Sequence, residues 1–311
     1  MSQNFLGCDL CKARIDIFDP RTGALSEIAN EPVAISAWLG QLDPDIRIVF
    51  EATSGCDGRL IAALAHAGRA YSRVNPRQAR EFARASGVLA KTDRVDARVL
   101  AEMGARLDLP VTRPPEPKRM RLAAKLKRRQ QLVVMRQAER LRLDDTDDRD
   151  IQREIKAMIR LLCTRIERLD AVIAEFLETD DTLSPQARRV MTVPGIGSVA
   201  GATLLAHLPE LGQIDRRAIA SLAGLAPLAR DSGTMRGKRR IWGGRKQIRR
   251  ALYIAALNAA RCVPRYKAIR DRMRAAGKAA KTILIAIARH ILVALNAMFR
   301  NGTDFEIQRT G

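Results

Sequence analysis

Four carboxylates in the first hundred residues have the types and spacing of a hard-cation site: Asp9, Glu51, and the pair Asp93 and Asp96. Asp9 interrupts the apolar, strand-like run Phe5-Leu6-Gly7-Cys8, and Glu51 ends the run Ile46-Arg47-Ile48-Val49-Phe50. Two aspartates three residues apart on a helix share one face. Carboxylates gathered from separate elements repel one another unless a cation lies between them, and all-oxygen donor sets suit Mg²⁺ or Mn²⁺. If the four converge, the simplest chemistry is two-metal attack on a phosphodiester. Taken singly, each also reads as a surface or capping residue. The order strand Asp, strand Glu, helical Asp-x-x-Asp gives them weight as a set.

A second constellation lies in the last third. Asp231-Ser232-Gly233 falls inside a Gly- and Pro-bearing loop that follows a helix at 215–223. Ser232 reads either as a turn residue or as a nucleophile held among Arg230, Arg236, Lys238, Arg239, Arg240, Arg245, Lys246, Arg249 and Arg250. Such cations neutralise a phosphate and stabilise its transition state. The three histidines are His66, His207 and His290, none near the loop, so a Ser–His dyad is disfavoured. Tyr253 and Tyr266 are rival nucleophiles, but Tyr253 reads as part of a packed helix with no recognisable Arg–His pattern around it.

The elements that must position these groups follow from periodicity and punctuation. Residues 5–10 and 14–18 read as strands joined by a tight turn, with a further turn at Thr22-Gly23 and a helix around Pro32–Leu42. Residues 46–52 read as a third strand, Leu60–Ala67 as a helix, and Ala70–Val74 as a strand stopped by Asn75-Pro76. Helices follow near 77–85 and 93–106. A hairpin followed by alternating helices and strands predicts a mixed α/β sheet with helices on its faces, the arrangement of the RNase H-like fold. Leu109-Pro110 to Pro114-Pro115-Glu116-Pro117 is a proline-rich boundary. From Lys118 to about Leu177 recurring Leu, Ile and Val predict two long helices with a break near Asp144–Asp150, a coiled coil suited to dimerisation. Val193-Pro194-Gly195-Ile196-Gly197-Ser198 reads either as a helix-hairpin-helix that offers amides to phosphate or as a tight helical corner.

Charge divides the chain unevenly. Residues 1–110 carry 14 Lys+Arg against 14 Asp+Glu, residues 111–181 carry 17 against 14, and residues 182–311 carry 24 against 6. The last third thus holds +18 of a net charge of +21, which points to a polyanionic partner such as nucleic acid. Aromatic residues make up 4% of the 311, too few for broad base-stacking recognition, while 47% apolar residues support real cores. Five scattered cysteines favour a reducing compartment. Cys8-x-x-Cys11 lacks the second pair of a zinc site and reads better as a strand with buried thiols. No signal peptide is visible, and Ile283 to Leu295 holds Arg289 and His290 and is too short to span a bilayer.

The combination of Gly7-Cys8-Asp9, Phe50-Glu51-Ala52-Thr53-Ser54-Gly55 and Lys91-Thr92-Asp93-Arg94-Val95-Asp96-Ala97 resembles the N-terminal module of DEDD insertion-sequence transposases, relatives of the Piv-type DNA invertases. Pro194-Gly195-Ile196-Gly197, Leu222-Ala223-Gly224-Leu225-Ala226-Pro227, Ser232-Gly233 and the run from Gly237 to Tyr253 resemble that family's second domain. The resemblance implies three parts. They are a RuvC-like, RNase H-fold domain over 1–110 binding Mg²⁺ (Mn²⁺ as substitute) through Asp9, Glu51, Asp93 and Asp96, a helical coiled-coil connector over 111–181, and a mainly α, basic transposase domain over 182–311 with Ser232 as catalytic serine. It further implies guidance by a structured bridge RNA that pairs with donor and target DNA, and a location in the bacterial cytoplasm at the nucleoid, without membrane association.

The expected activity is therefore a DNA transposase/recombinase of a mobile insertion sequence. It would act as a homo-oligomer, dimer or tetramer, through the coiled coil, with Ser232 and the carboxylates serving one DNA phosphate within or between protomers. Two other readings stay open on the residues alone. One is a Holliday-junction-type nuclease that uses water, with Ser232 structural. The other is a helix-hairpin-helix nucleic-acid-binding protein without catalysis.

Overall fold

The computed structural model describes residues 5–53, 55–88, 93–114, 116–228 and 240–305, which form two compact units, 1–115 and 116–311. The first is built on a five-stranded sheet. β1 (Phe5–Leu10), β2 (Arg14–Asp19) and β3 (Ala24–Ala29) form an antiparallel meander, and β4 (Arg47–Glu51) and β5 (Tyr71–Val74) add in parallel on the other side of β1. The sheet order is β3-β2-β1-β4-β5. This mixed α/β arrangement is the one expected for the RNase H-like class. β3 was absent from the sequence reading for a physical reason. It is an edge strand, mostly exposed on both faces, so Ala24-Leu25-Ser26-Glu27-Ile28-Ala29 has no apolar alternation to betray it.

Helices cover both faces. Strand side chains alternate, so Cys8, Leu10, Ile15, Ile17, Ile48, Phe50 and Tyr71 pack on one face against α1 (Pro32–Gln41) and α2 (Gly58–His66). On the other face, Phe5, Val49 and Val74 meet α3 (Pro76–Ala85) and α4 (Asp93–Arg106) through Ala79, Leu100 and Met103. Phe18 joins this layer against Ala97 and Ala101. The segment after α4 is tied along β5 rather than left as a loose linker. The Thr112 N–H donates to the Tyr71 carbonyl (2.7 Å), the Ser72 hydroxyl to that of Pro110 (3.0 Å), and Arg47 to that of Leu109 (3.0 Å).

The second unit is helical. α5 (Pro117–Asp144) and α6 (Arg149–Thr179) form a long hairpin, and Asp148 caps α6 by accepting from the N–H groups of Asp150 (2.8 Å) and Ile151 (3.1 Å). Midway along it, Leu132, Leu162 and Ile166 make a small apolar cluster of their own. At its base, Leu122, Leu126, Ile173 and Leu177 enter the main core, together with α7 (Leu183–Met191), α8 (Ser198–His207), α9 (Arg216–Leu222), α10 (Lys246–Cys262), α11 (Pro264–Ala275) and α12 (Ala280–Asn301). Buried Arg119 fixes that base. It donates to the Leu205 carbonyl of α8 and to Gln186 Oε1 of α7 (2.9 Å), and pairs with Glu116 (3.0 Å). α12 is long and apolar enough to cross a membrane by composition, and one of its faces, including Ile287, Ile291 and Leu295, is buried in this core.

α4 packs on β1 closely enough that no side chain fits at the crossing. A Cβ on Gly7 would lie 1.9 Å from the Ala97 carbonyl oxygen and 2.5 Å from the Ala101 nitrogen, both backbone atoms. At Gly104 it would instead meet the side chains of Phe5 (2.7 Å) and Val49 (2.9 Å). Overpacking costs about 1–3 kcal/mol when neighbours yield, and more when they cannot. Gly7→Ala is therefore expected to destabilise by more than about 3 kcal/mol and Gly104→Ala by about 1–2 kcal/mol. Urea unfolding of the two variants checks that ranking.

Candidate active site

β1 and β4 pair in parallel with Cys8 opposite Phe50, and one residue further along each strand stand Asp9 and Glu51. Both therefore lie at the carboxyl ends of the two central strands. They project from the face that carries Gly7 and Val49, which is the face covered by α4. The contacts of α4 also fix its direction. Phe5 lies against Gly104, whereas Gly7 lies against Ala97 and Ala101. Advancing along β1 thus moves backwards along α4, and the next step, from Gly7 to Asp9, leads to the first turn of α4. That turn begins at Asp93 and includes Asp96. Asp9, Glu51 and Asp96 are each half-buried, and Asp9 Oδ1 accepts from the Leu10 N–H (3.0 Å). The Asp93 side chain lies outside the described residues.

Sheet and helix thus bring the predicted strand and helix carboxylates to one end of the first unit. Among the described residues no three acidic, histidine or cysteine side chains close on one another as a finished cation cage. The donor chemistry nonetheless fits a hard divalent ion: carboxylate oxygens from two strand ends and one helical turn, with no thiolate among them. Cys8 points to the opposite face, fully buried, and burial followed by the Asp9 charge pushes its thiol far above the ordinary range. Facing away from the carboxylates, the thiol is no donor to their site and packs as a structural strand cysteine.

A fifth carboxylate went unnoticed in the sequence. Asp16 is the cross-strand partner of Asp9 on β2, buried to 6% exposure, and bonded by Arg14 Nε (3.1 Å). Directly opposed residues of an antiparallel pair share a face, and like charges there are unfavourable. Arg14, two residues along the same strand, offsets the second charge. The hairpin turn that sets this register was legible, so counting outward from Cys11–Arg14 would have found Asp16.

In the second unit, β6 (Pro227–Leu228) and β7 (Arg240–Ile241) pair antiparallel, with Leu228 opposite Arg240. They are the foot of the segment that contains Arg230, Ser232, Arg236, Lys238 and Arg239, all of which lie outside the described residues, as does the Arg240 side chain. The foot is set by a backbone crossing. A Cβ on Gly224 would lie 2.3 Å from the Gly243 carbonyl oxygen, and one on Gly244 2.1 Å from the Gly224 nitrogen; both glycines have positive φ (67°). Arg249 donates to that Gly243 carbonyl (2.6 Å), and the Arg245 N–H to the Leu222 carbonyl (2.8 Å).

The remaining predicted cations divide by role. The Arg245 guanidinium is engaged by both oxygens of Glu210 (2.6 Å each) and by the His207 carbonyl (2.8 Å). Lys246 and Arg250 are exposed, one turn apart on α10. Tyr266 is fully buried, and burial raises its phenol above the ordinary value, as befits a core residue rather than a nucleophile. Between α7 and α8, the Pro194-Gly195-Ile196-Gly197 turn sits against α10, where a Gly195 Cβ would come 2.5 Å from the Ala255 carbonyl oxygen.

Two family models match the chain. A DEDD transposase family model matches residues 21–146, which include Glu51, Asp93 and Asp96, and the model of the Transposase IS116/IS110/IS902 family matches residues 187–270, which include Ser232. The pilin gene-inverting protein of Moraxella bovis is 30% identical over 330 residues, covering 98% of each chain. The chain belongs to the IS116/IS110/IS902 transposase family. Its other relatives include the pilin gene-inverting protein of Moraxella lacunata, 28% identical over 98% of each chain. An insertion element IS110 protein of Streptomyces coelicolor is 35% identical over 140 residues, covering 44% of this chain and 34% of that protein. As a member of this family the chain is a DNA transposase/recombinase, and its DEDD domain implies dependence on a divalent metal ion.

The Glu210–Arg245 pair behind the hairpin foot has a pH signature. Burial alone would raise the Glu210 carboxyl, but the Arg245 hydrogen bonds and charge outweigh it and hold the group below its ordinary value. A depressed carboxylate adds stability that is full above the unfolded value of 4.5 and is lost as pH falls through the folded one. Both partners are about a third exposed, so the pair is worth on the order of 1 kcal/mol. Thermal melts should show Glu210→Gln less stable than the parent at pH 7, with the gap closing below about pH 4.5.

Proposed function

We propose that the enzyme cuts and rejoins DNA through a phosphoserine link formed by Ser232, assisted by the carboxylates Asp9, Glu51, Asp93 and Asp96. The observation that carries this reading is the register that sets Asp9 beside Glu51 at the carboxyl ends of the central strands, facing the first turn of α4. The four would hold Mg²⁺. When bound, it supplies Lewis-acid charge that stabilises the pentacovalent phosphate. In the reaction, Ser232 Oγ attacks a backbone phosphorus and its proton passes to a carboxylate. One P–O bond of the DNA breaks, and the departing sugar oxygen takes up that proton from the carboxylate. Rejoining runs in reverse: a DNA hydroxyl attacks the phosphoserine, the serine oxygen leaves, and the hydroxyl's proton is returned.

The supports for the partners are of a different kind. Selection of donor and target DNA by a bridge RNA rests on the resemblance of the motifs, and the +18 charge of residues 182–311 is consistent with two nucleic-acid partners. Self-association through α5 and α6 is supported by exposed Val134, Met135, Leu141, Leu161 and Val172 along that hairpin. The loop cations Arg230, Arg236, Lys238, Arg239 and Arg240 are assigned to phosphate contacts, together with exposed Lys246 and Arg250.

The test is an incubation of the chain with its RNA and labelled junction DNA, with and without Mg²⁺, separated under denaturing conditions. A protein–DNA adduct is expected, absent with Ser232→Ala and reduced at least about 100-fold with Asp9→Asn, which is the scale of losing one preorganised charge-stabilising group. Cleavage without an adduct in the parent chain would transfer the chemistry to water. An adduct that persists in Ser232→Ala would remove the serine from the mechanism.

A further inference from the structure

Between α9, the hairpin foot and α12 runs a groove with a cavity volume of about 1340 Å³. It exceeds the roughly 300–1,000 Å³ of small-molecule pockets, so a polymer segment is the better-sized occupant. Its charged lining is all of one sign: Arg216 and Arg217 on α9, Lys281 and Arg289 on α12. No carboxylate contributes to the lining described, and among the described residues none of these four cations makes an ion pair with a carboxylate. His290 also lines the groove. Burial, and then the charges of Arg265, Arg289 and Arg272, hold its imidazole below the ordinary value, so near neutral pH the four cations carry the charge.

The floor between the cations is apolar, made by Leu225, Ile285 and Val293. α12 accounts for this division. Ile283, Ile287, Ile291 and Leu295 turn one face into the helical core, while Lys281, Ile285, Arg289 and Val293, spaced four apart, line the groove along another face. A cation-rimmed channel with an aliphatic floor offers a single strand phosphate contacts at the rim and apolar cover for its exposed bases on the floor, without ring stacking. A duplex keeps its bases stacked inside and has no use for such a floor. Lys281 and Arg289 lie about 12 Å apart along the helix at ~1.5 Å per residue. That is further than neighbouring phosphates of one strand lie apart, so the two cations meet different phosphates.

We infer that this groove binds a single-stranded segment of the DNA substrate and leads it to the hairpin foot at Pro227 and Ile241. The site itself stands on its own geometry. Its purpose, presenting a strand to the segment that holds Ser232, rests on the function proposed above.

Binding of the full chain to a dye-labelled single-stranded oligonucleotide and to its duplex, followed by anisotropy over a salt series, tests the inference. Two variants, Lys281→Gln/Arg289→Gln and Arg216→Gln/Arg217→Gln, are each checked for an unchanged melting temperature. A pair from the exposed face of α6, Arg160→Gln/Arg168→Gln, controls for loss of charge alone. For the single strand, the slope of log K against log salt should fall by about 1.4 in each groove variant, about 0.7 per lost phosphate contact, with a smaller change in the control. An unchanged slope in both groove variants overturns the inference, as does a loss confined to the duplex. A change of oligomeric state without a change in DNA binding would also overturn it and identify a second copy as the occupant. Binding is read without cleavage, so a failed serine adduct leaves these slopes untouched, and unchanged slopes leave the adduct result untouched.

Discussion

The approach of α4 to Gly7 governs what the first unit can do. A side chain at that position has nowhere to go, because the Ala97 carbonyl and the Ala101 nitrogen already occupy the space. Helix and strand are therefore in backbone contact, and the path of α4 is set by that contact rather than by interchangeable side chains. Everything placed on the two elements inherits that precision. Asp9 lies two residues from Gly7, and Asp96 immediately precedes Ala97, so the contact that fixes the helix also fixes where two acidic groups stand. Apolar anchors further along, Phe5, Val49, Leu100 and Met103, keep the other end of α4 from swinging away.

The second unit uses the same device at the foot of its hairpin. Gly224 and Gly244 let two backbone segments cross at a distance no side chain tolerates, and the surrounding bonds from Arg249 and the Arg245 N–H lock the crossing. Two of the arginines that look, in sequence, like a continuous phosphate-binding field are thereby committed to holding backbone and Glu210 in place. The cations that line an open groove lie elsewhere in the chain, on α9 and α12. A helix as apolar as α12 would, on composition alone, be read as wholly buried. Its second face shows how two charges eight residues apart, Lys281 and Arg289, turn a core helix into the wall of a channel.

Much of this was legible in the sequence where physical signals are local. β1, β2, β4 and β5 are legible because their apolar runs are bounded by turns, and the helical break falls within the expected Asp144–Asp150, where Asp148 caps α6. β3 was invisible because an exposed edge strand needs no apolar pattern. Asp16 was missed for the opposite reason. Its importance comes only from the residue across the ladder, and cross-strand neighbours are not adjacent in sequence. Arg245 could not be assigned from sequence, since a basic residue in a basic segment gives no hint that a distant glutamate will claim it. Gly7 and Gly224 stand inside recognisable motifs, but only their neighbours in space explain why glycine stands there.

On the reading proposed above, the ends of β1 and β4 and the first turn of α4 form one divalent-cation site. Mn²⁺ binding to the full chain, followed by electron paramagnetic resonance without DNA, addresses it most directly. Saturable binding is expected, weakened at least about tenfold in Asp9→Asn, Glu51→Gln and Asp96→Asn alike, each of which removes one carboxylate from the same ion. Equal Mn²⁺ affinity in the parent and in all three folded variants would contradict it.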